Sequence, residues 1–290
     1  MWDKVVKQLS IATATVGLVT LGATFAHTQT ANAAAIRSGF NSNTLPRNDD
    51  DSTSLVSMGF DINFGSFISD QLYVNNNGNV TFDQDLFEYT PFNLTNTTQQ
   101  IIAPFFADVD TEGPGDPVTY GTGIVDGRDA FGVNWINVAH YFESFPLNSF
   151  QLVLIDRSDT GVGNFDFEFN YNEILWESGE ASGGNFQGLG GESARVGFSN
   201  GTGNPGTFFE LPGSGVNGAF IDGGSSALVS NSLNSNVLGR YQFSVRDGKF
   251  VTSVPEPTSI LGLFALSALG TTFLKCKQKE KMYLHRSNFW

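Results

Sequence analysis

Phe165-Asp166-Phe167-Glu168-Phe169-Asn170-Tyr171 alternates ring and polar side chain without a break. Successive side chains of a strand point to opposite faces. Phe165, Phe167, Phe169 and Tyr171 therefore form a dry face, and Asp166, Glu168 and Asn170 a wet one. Just upstream, Gln151 to Ile155 reads as a central strand, apolar on both faces. The linking segment Ser158-Asp159-Thr160-Gly161-Val162-Gly163-Asn164 is glycine-bearing and of hairpin-loop size.

The same rhythm continues outward. From Met58 on, short apolar runs alternate with Gly, Asn and Asp clusters. Further strands are expected at Leu72–Val74, Asn79–Phe82, Ile101–Phe105, Ala130–Val138, Arg195–Phe198, Phe208–Leu211 and Tyr241–Arg246, with a tight last hairpin at Asp247-Gly248. Helical apolar spacing occurs only in the two terminal segments. The expected fold is all-β, a two-layer antiparallel β-sandwich, with a barrel as runner-up.

The two ends read as targeting segments. Lys4 and Lys7 precede an apolar stretch from Ile11 to Phe25, and small residues follow at Ala31-Asn32-Ala33 and Ala33-Ala34-Ala35. These are the parts of a secretory signal peptide, with cleavage expected after Ala33 or Ala35. At the other end, Val254-Pro255-Glu256-Pro257 is followed by an apolar run, 259–274, and by Lys275, Lys277, Lys279 and Lys281. This arrangement resembles the PEP-CTERM sorting signal of bacterial surface proteins, which an exosortase reads. The resemblance implies a C-terminal hydrophobic helix over 259–274, transient inner-membrane insertion and release to the cell surface or extracellular matrix. At ~1.5 Å rise per residue the run spans only ~24 Å, against a hydrocarbon core of ~30 Å. The expected division is a signal peptide over 1–35, a loose polar leader over 36–57, a β domain over 58–253 and a sorting segment over 254–290, whose basic tail is 275–290.

Composition narrows the function. Residues 36–254 hold 8 Lys and Arg against 26 Asp and Glu, a net charge of −18 within a chain of −14. Such a surface argues against nucleic acid and anionic lipid and is compatible with divalent cations. Cys276 is the only cysteine, so no disulfide forms within 36–254. Stability must come from packing, and 23 of the 27 Phe lie in that stretch.

Several segments resemble the NIDO domain, the extracellular module first described in nidogen. They are Val74-Asn75-Asn76-Asn77-Gly78-Asn79-Val80-Thr81-Phe82, Ile101-Ile102-Ala103-Pro104-Phe105-Phe106-Ala107-Asp108-Val109-Asp110, Phe131-Gly132-Val133-Asn134-Trp135, Phe150 to Arg157, Phe165 to Tyr171, Ala194 to Phe198 and Leu211 to Gly215. The set occurs in the family's order from Leu72 to Arg246, with Phe106 where the family often has Trp. The resemblance implies an extracellular, adhesion-associated, non-catalytic module.

The residues themselves support little enzymology. His140 is the only histidine in 36–254, sits among apolar neighbours, and reads as structural rather than catalytic. Zinc would need three or four His or Cys ligands, which the stretch lacks. Asp108, Asp110 and Glu112 alternate and share a face in an extended chain, which suits Ca²⁺. Asn76, Asn77 and Asp116 can join if loops converge, and the loop from Asp156 to Asn164 is a second, weaker cation candidate. Asp166 and Glu168 share a face, as a glycosidase pair would. Trp135, Tyr141 and Trp176 would stack on sugars if exposed. The expected function is an exported, non-enzymatic surface or matrix protein, sorted by an exosortase, in adhesion or association with exopolysaccharide and biofilm. Its partners would be the sorting protease and extracellular polysaccharide or surface proteins. A lectin-like module is the alternative and a glycan hydrolase the third reading.

Overall fold

The computed structural model describes residues 34–142 and 144–251, with Ser144 as backbone only. The described residues form two antiparallel sheets. One has the strand order β1 (Asn43–Thr44), β7 (Thr119–Val125), β8 (Arg128–His140), β9 (Ser144–Asp156), β10 (Phe165–Glu173), β13 (Arg240–Arg246) and β14 (Lys249–Val251), and β6 (Val109–Gly115) pairs with the far end of β8. The other has the order β12 (Phe208–Glu210), β11 (Arg195–Asn200), β5 (Gln100–Phe106), β4 (Asn79–Thr81), β3 (Ile68–Asn75) and β2 (Val56–Asn63). Each sheet has two free edges, so the barrel expectation is corrected: neither closes on itself.

The rings of β10 explain why the sheets stack. Phe165, Phe167 and Phe169 are buried; Phe167 meets Phe198 of the opposite sheet with centroids 5.5 Å apart, and Phe165 meets Phe64, just past β2, at 6.0 Å. Phe105 of β5 meets Phe150 of β9 at 5.1 Å. Tyr171 adds one polar tie, donating its hydroxyl to the Pro104 carbonyl at 2.6 Å. A large buried ring prefers such offset and edge-to-face neighbours.

The opposite face of β10 departs from the simple wet-face reading. Glu168 is 1 % exposed and Asn170 0 %. The reason lies in residues 34–42, which join the end of the expected signal segment to the start of the stretch read as a loose leader and cross this face as a strap. Arg37 donates its backbone N–H to Gln151 Oε1, and Gln151 returns an N–H to the Arg37 carbonyl at 2.8 Å. Asn134 Nδ2 donates to the Phe40 carbonyl at 2.9 Å. The Phe40 ring packs with Val125, Ala130, Val153 and Ile155. It lies over Gly123 and Gly132, where a Cβ would overlap the ring.

The expected C-terminal hydrophobic helix is also corrected. Among the described residues no helix is long and apolar enough to cross a membrane, and the only helical element is a 3-10 turn at Leu94–Asn96. The segment itself, 252–290, and the signal-peptide region 1–33 lie outside the described residues.

Candidate functional site

The chain changes sheets once within a few residues. β5 ends at Phe106 in one sheet and β6 begins at Val109 in the other, so Asp108 stands on the corner between them. The turn joining β3 to β4 supports that corner. Val109 donates its N–H to Asn77 Oδ1 at 2.9 Å, and Asn76 Nδ2 donates to the Val109 carbonyl at 2.5 Å. Gly78, at φ +71°, lets the turn approach so closely that a Cβ there would overlap the Phe105 carbonyl. Trp135 Nε1 donates to the Asn76 carbonyl at 2.9 Å and locks the turn to β8.

A third segment closes over the corner. Asn48 donates its N–H to Thr111 Oγ1 at 3.0 Å, and the Asn76 N–H reaches the Asp51 carbonyl at 3.0 Å. Asn76 Nδ2 also donates to the Asp49 carbonyl. These bonds bring Asp49 and Asp50 to Asp108, and one carboxylate oxygen from each of the three lies within 4.8 Å of the others. Asn77 Nδ2 donates to Asp50 Oδ1 at 2.9 Å, and the Ser182 hydroxyl donates to Asp108 Oδ2 at 3.3 Å.

Among the described residues, none of the three carboxylates forms an ion pair with Arg or Lys. Asp108 is 1 % exposed, and burial followed by the charges of Asp49 and Asp50 pushes its carboxyl up to about 7. Asp49 is likewise pushed up to about 7, by burial and then by Asp50, Asp110 and Glu112. Burial also raises Asp50, against the opposing hydrogen bond from Asn77. One oxygen of Asp49 is buried with no hydrogen-bond partner among the described residues. Hard, clustered carboxylate oxygens held by a fixed turn are the donor type that Ca²⁺ takes.

Of the acids expected from alternation, Asp108 is in the group and Asp110 is buried close enough to act on Asp49 and Asp50. Glu112 is exposed, because the register of β6 against β8 shifts between Asp110 and Gly115. Asn76 and Asn77 are at the site as structural partners, and Asp116 instead accepts from Asn137 Nδ2 at 2.9 Å. Asp49 and Asp50 escaped the sequence reading because they sit in the apparent leader. The run Asp49-Asp50-Asp51 was the available signal. In the loop from Asp156 to Asn164, Asp159 is taken by Arg128 and Arg157 and Asp156 by Ser158, which leaves an ion-pair and turn network there.

The other chemical candidates have structural duties. Asp166 pairs with Arg157 at 2.5 Å and Arg246 at 2.6 Å, and Glu168 with Arg37 at 2.6 Å. Burial raises the Glu168 carboxyl, but hydrogen bonds from Arg37 and Gln242 outweigh it and hold it below its ordinary value. A glycosidase acid needs the opposite shift. Trp135 and Trp176 are fully buried, which removes two of the three rings of the expected sugar platform; Tyr141 remains partly exposed. His140 is 1 % exposed, faces the Trp176 ring and shares a hydrogen bond between Nδ1 and the Tyr141 carbonyl. Ala35 is 4 % exposed and its carbonyl accepts from Arg240 Nη2 at 2.6 Å; Ala33 lies outside the described residues.

Comparison with known proteins finds matches over most of the chain. The nidogen-like domain family matches residues 70–126 and 118–247. Alpha-tectorin of Mus musculus is 36% identical over 245 residues, covering 76% of this chain and 11% of that protein. Alpha-tectorin of Homo sapiens is 35% identical over 245 residues with the same coverage, and that of Gallus gallus 31% over 249 residues. The chain thus spans about a tenth of the length of these relatives (11%). No solved structure matches. Neither the family match nor these relatives bring in a sorting signal or a sorting protease. The expected exosortase partner, the transient membrane insertion and the membrane-anchored route to the surface are therefore corrected, since no described helix spans a membrane. The residues assigned to that signal, Val254 to Pro257 and Lys275, Lys277, Lys279 and Lys281, lie outside the described residues.

Proposed function

The chain belongs to the nidogen-like domain family, a non-enzymatic extracellular class related to alpha-tectorin, and we propose that it acts as an adhesion domain whose sheet corner is made rigid by Ca²⁺. The observation that carries the reading is the meeting of Asp49, Asp50 and Asp108 within 4.8 Å, unpaired by any Arg or Lys among the described residues. Like charges confined in this way raise one another and destabilise the fold until something cationic joins them. A bound Ca²⁺ would draw Asp108 at the sheet crossover, and Asp49 and Asp50 on the overlying segment, onto one centre. It would stiffen the loops that a partner meets. Asp110 adds charge from the strand behind.

Export is part of the same reading. The signal segment over 1–35 would deliver the domain outside the cell, where Ca²⁺ sites of modest affinity, ~10⁻⁴–10⁻³ M, are typical. Adhesion then rests on surface recognition rather than turnover.

The test is a melting curve of the full chain in chelator and in rising Ca²⁺, with Asp108→Asn alongside. A saturable rise in Tm for the native chain, absent in Asp108→Asn, supports the site. A melt indifferent to Ca²⁺ up to about 10 mM, well above the affinity range of extracellular sites, sinks it.

A further inference from the structure

Beside the acidic corner the surface opens into a cavity of about 240 Å³, lined by His140, Tyr141, Phe142, Glu180, Asn185 and Phe186. Two of its rings are largely exposed to solvent: Phe142 is 63 % exposed and Phe186 74 %. Tyr141 and Phe142 stand edge to face, centroids 5.7 Å apart. Exposed rings gathered at one cavity mark an interaction site more often than rings scattered singly.

The cavity wall is built rather than loose. The Glu180 N–H donates to the Tyr141 carbonyl at 2.7 Å, and the Tyr141 N–H to the Asp108 carbonyl at 3.1 Å. Asn185 Oδ1 accepts from the N–H groups of Gln187 and Leu189, at 2.9 and 3.1 Å, which closes the turn that carries Phe186. The Gly188 N–H returns to the Asn185 carbonyl at 2.8 Å. Phe186 is thus presented to solvent on a hydrogen-bonded frame.

Among the described residues, the charged groups at this cavity are carboxylates. Glu180 is in its wall, and Asp108 lies one backbone hydrogen bond behind Tyr141. An aromatic face is itself negative, so rings and carboxylates act in the same direction on a cation. An anion would be repelled, as would a membrane of anionic lipid. A neutral sugar would gain ring contact but nothing from the field.

We propose that this cavity is a binding site for an alkylammonium group, presented as the side chain of an exposed lysine on a partner protein. The ammonium would sit against Phe142, Tyr141 and Phe186 with Glu180 as its counter-charge, and the lysine methylenes would cover the bare rings. The inference rests on the adhesion reading and names the chemistry of the partner. It does not require bound Ca²⁺, so its test is run in chelator, where failure of the Ca²⁺ site and failure of this cavity are separate results.

The probe is N-acetyl-lysine methylamide, titrated into the full chain by ligand-observed NMR. The neutral isostere N-acetyl-norleucine methylamide and methyl β-glucoside are run beside it. The lysine probe should bind at least about tenfold more tightly than its isostere, the worth of a partly desolvated cation–π contact with a carboxylate beside it. Phe186→Ala and Glu180→Gln should each weaken it by about fivefold to tenfold with an unchanged melt, since Phe186 is 74 % exposed. Equal binding of the norleucine probe, preference for the glucoside, or no saturable binding by about 10 mM would overturn the proposal.

Discussion

Arg37 and Glu168 meet through two hydrogen bonds, Nε to Oε2 at 2.6 Å and Nη2 to Oε1 at 2.8 Å, across 131 residues of chain. Glu168 is 1 % exposed and also accepts from Gln242 Nε2 at 2.8 Å, with Arg240 Nε at 3.6 Å. A strand residue that alternation assigns to water is thereby the anchor of the strap. Removing one member of a buried, hydrogen-bonded pair leaves the other charge uncompensated. Glu168→Ala should cost on the order of 3 kcal/mol in urea unfolding. Asp159→Ala, which removes the far more exposed partner of Arg128 and Arg157, should change stability much less.

The acidic corner and the strap should respond to pH with opposite sign. Asp49 and Asp108 sit at about 7 in the folded chain against 3.8 when free, so between those values the fold holds protons that the unfolded chain has lost. In chelator their contribution therefore falls as pH climbs from about 4 to about 7, and levels off above. Glu168 is held below its ordinary 4.5, so its contribution is present above that value and is lost as pH drops beneath it. The Tm in chelator should pass through a maximum in mild acid. Ca²⁺ should abolish the decline towards pH 7, because metal binding needs deprotonated ligands. Asp108→Asn should flatten the same decline without Ca²⁺; a decline as steep as in the native chain would contradict the assignment.

Phe40 and Gly123 should behave as one unit. A Cβ on Gly123 would lie 2.7 Å from Phe40 Cε1, with the other near atoms also in the ring. Gly123→Ala therefore forces the ring out of its slot, and Phe40→Ala leaves a cavity that costs about 3–5 kcal/mol. With both changes the new methyl points into the space the ring has left. A double-mutant cycle should show the pair clearly less destabilised than the sum of the two single changes.

The Tyr171 hydroxyl reaches across the sandwich to the Pro104 carbonyl at 2.6 Å, and Tyr171 is 1 % exposed. Tyr171→Phe keeps the ring and deletes only this bond. It should cost about 1–2 kcal/mol with an unchanged m-value, since the surface exposed on unfolding is nearly the same.

Much of the sheet framework was legible because its strands alternate. Phe165 to Tyr171 is paired as β10, and Gln151 to Ile155 lies within β9. The strands that escaped have residues that look like turns. Thr119–Val125 carries Gly121 and Gly123, present because Ser42 and Phe40 press against them, a cause that lies far away in sequence. Gly113-Pro114-Gly115 reads as a turn and is the end of β6. Half of the acidic corner was legible on the same terms. Asp108 stood out beside Asp110, whereas Asp49 and Asp50 reach it only because the polar segment around Asn48 folds onto Thr111. Local patterning carries strands well. It carries little about which distant segment covers a face.

The strap also sets an order of events. Arg240 Nη2 holds the Ala34 and Ala35 carbonyls, contacts between residues 206 and 205 positions apart. Ala34 and Ala35 thus find this partner only when β13, one of the last described strands, has been made. Closing so long a loop is slow, and no shorter N-terminal piece can complete the large sheet. Completion of the large sheet is thus a late event in the making of the chain, even though most of its strand pairs lie upstream.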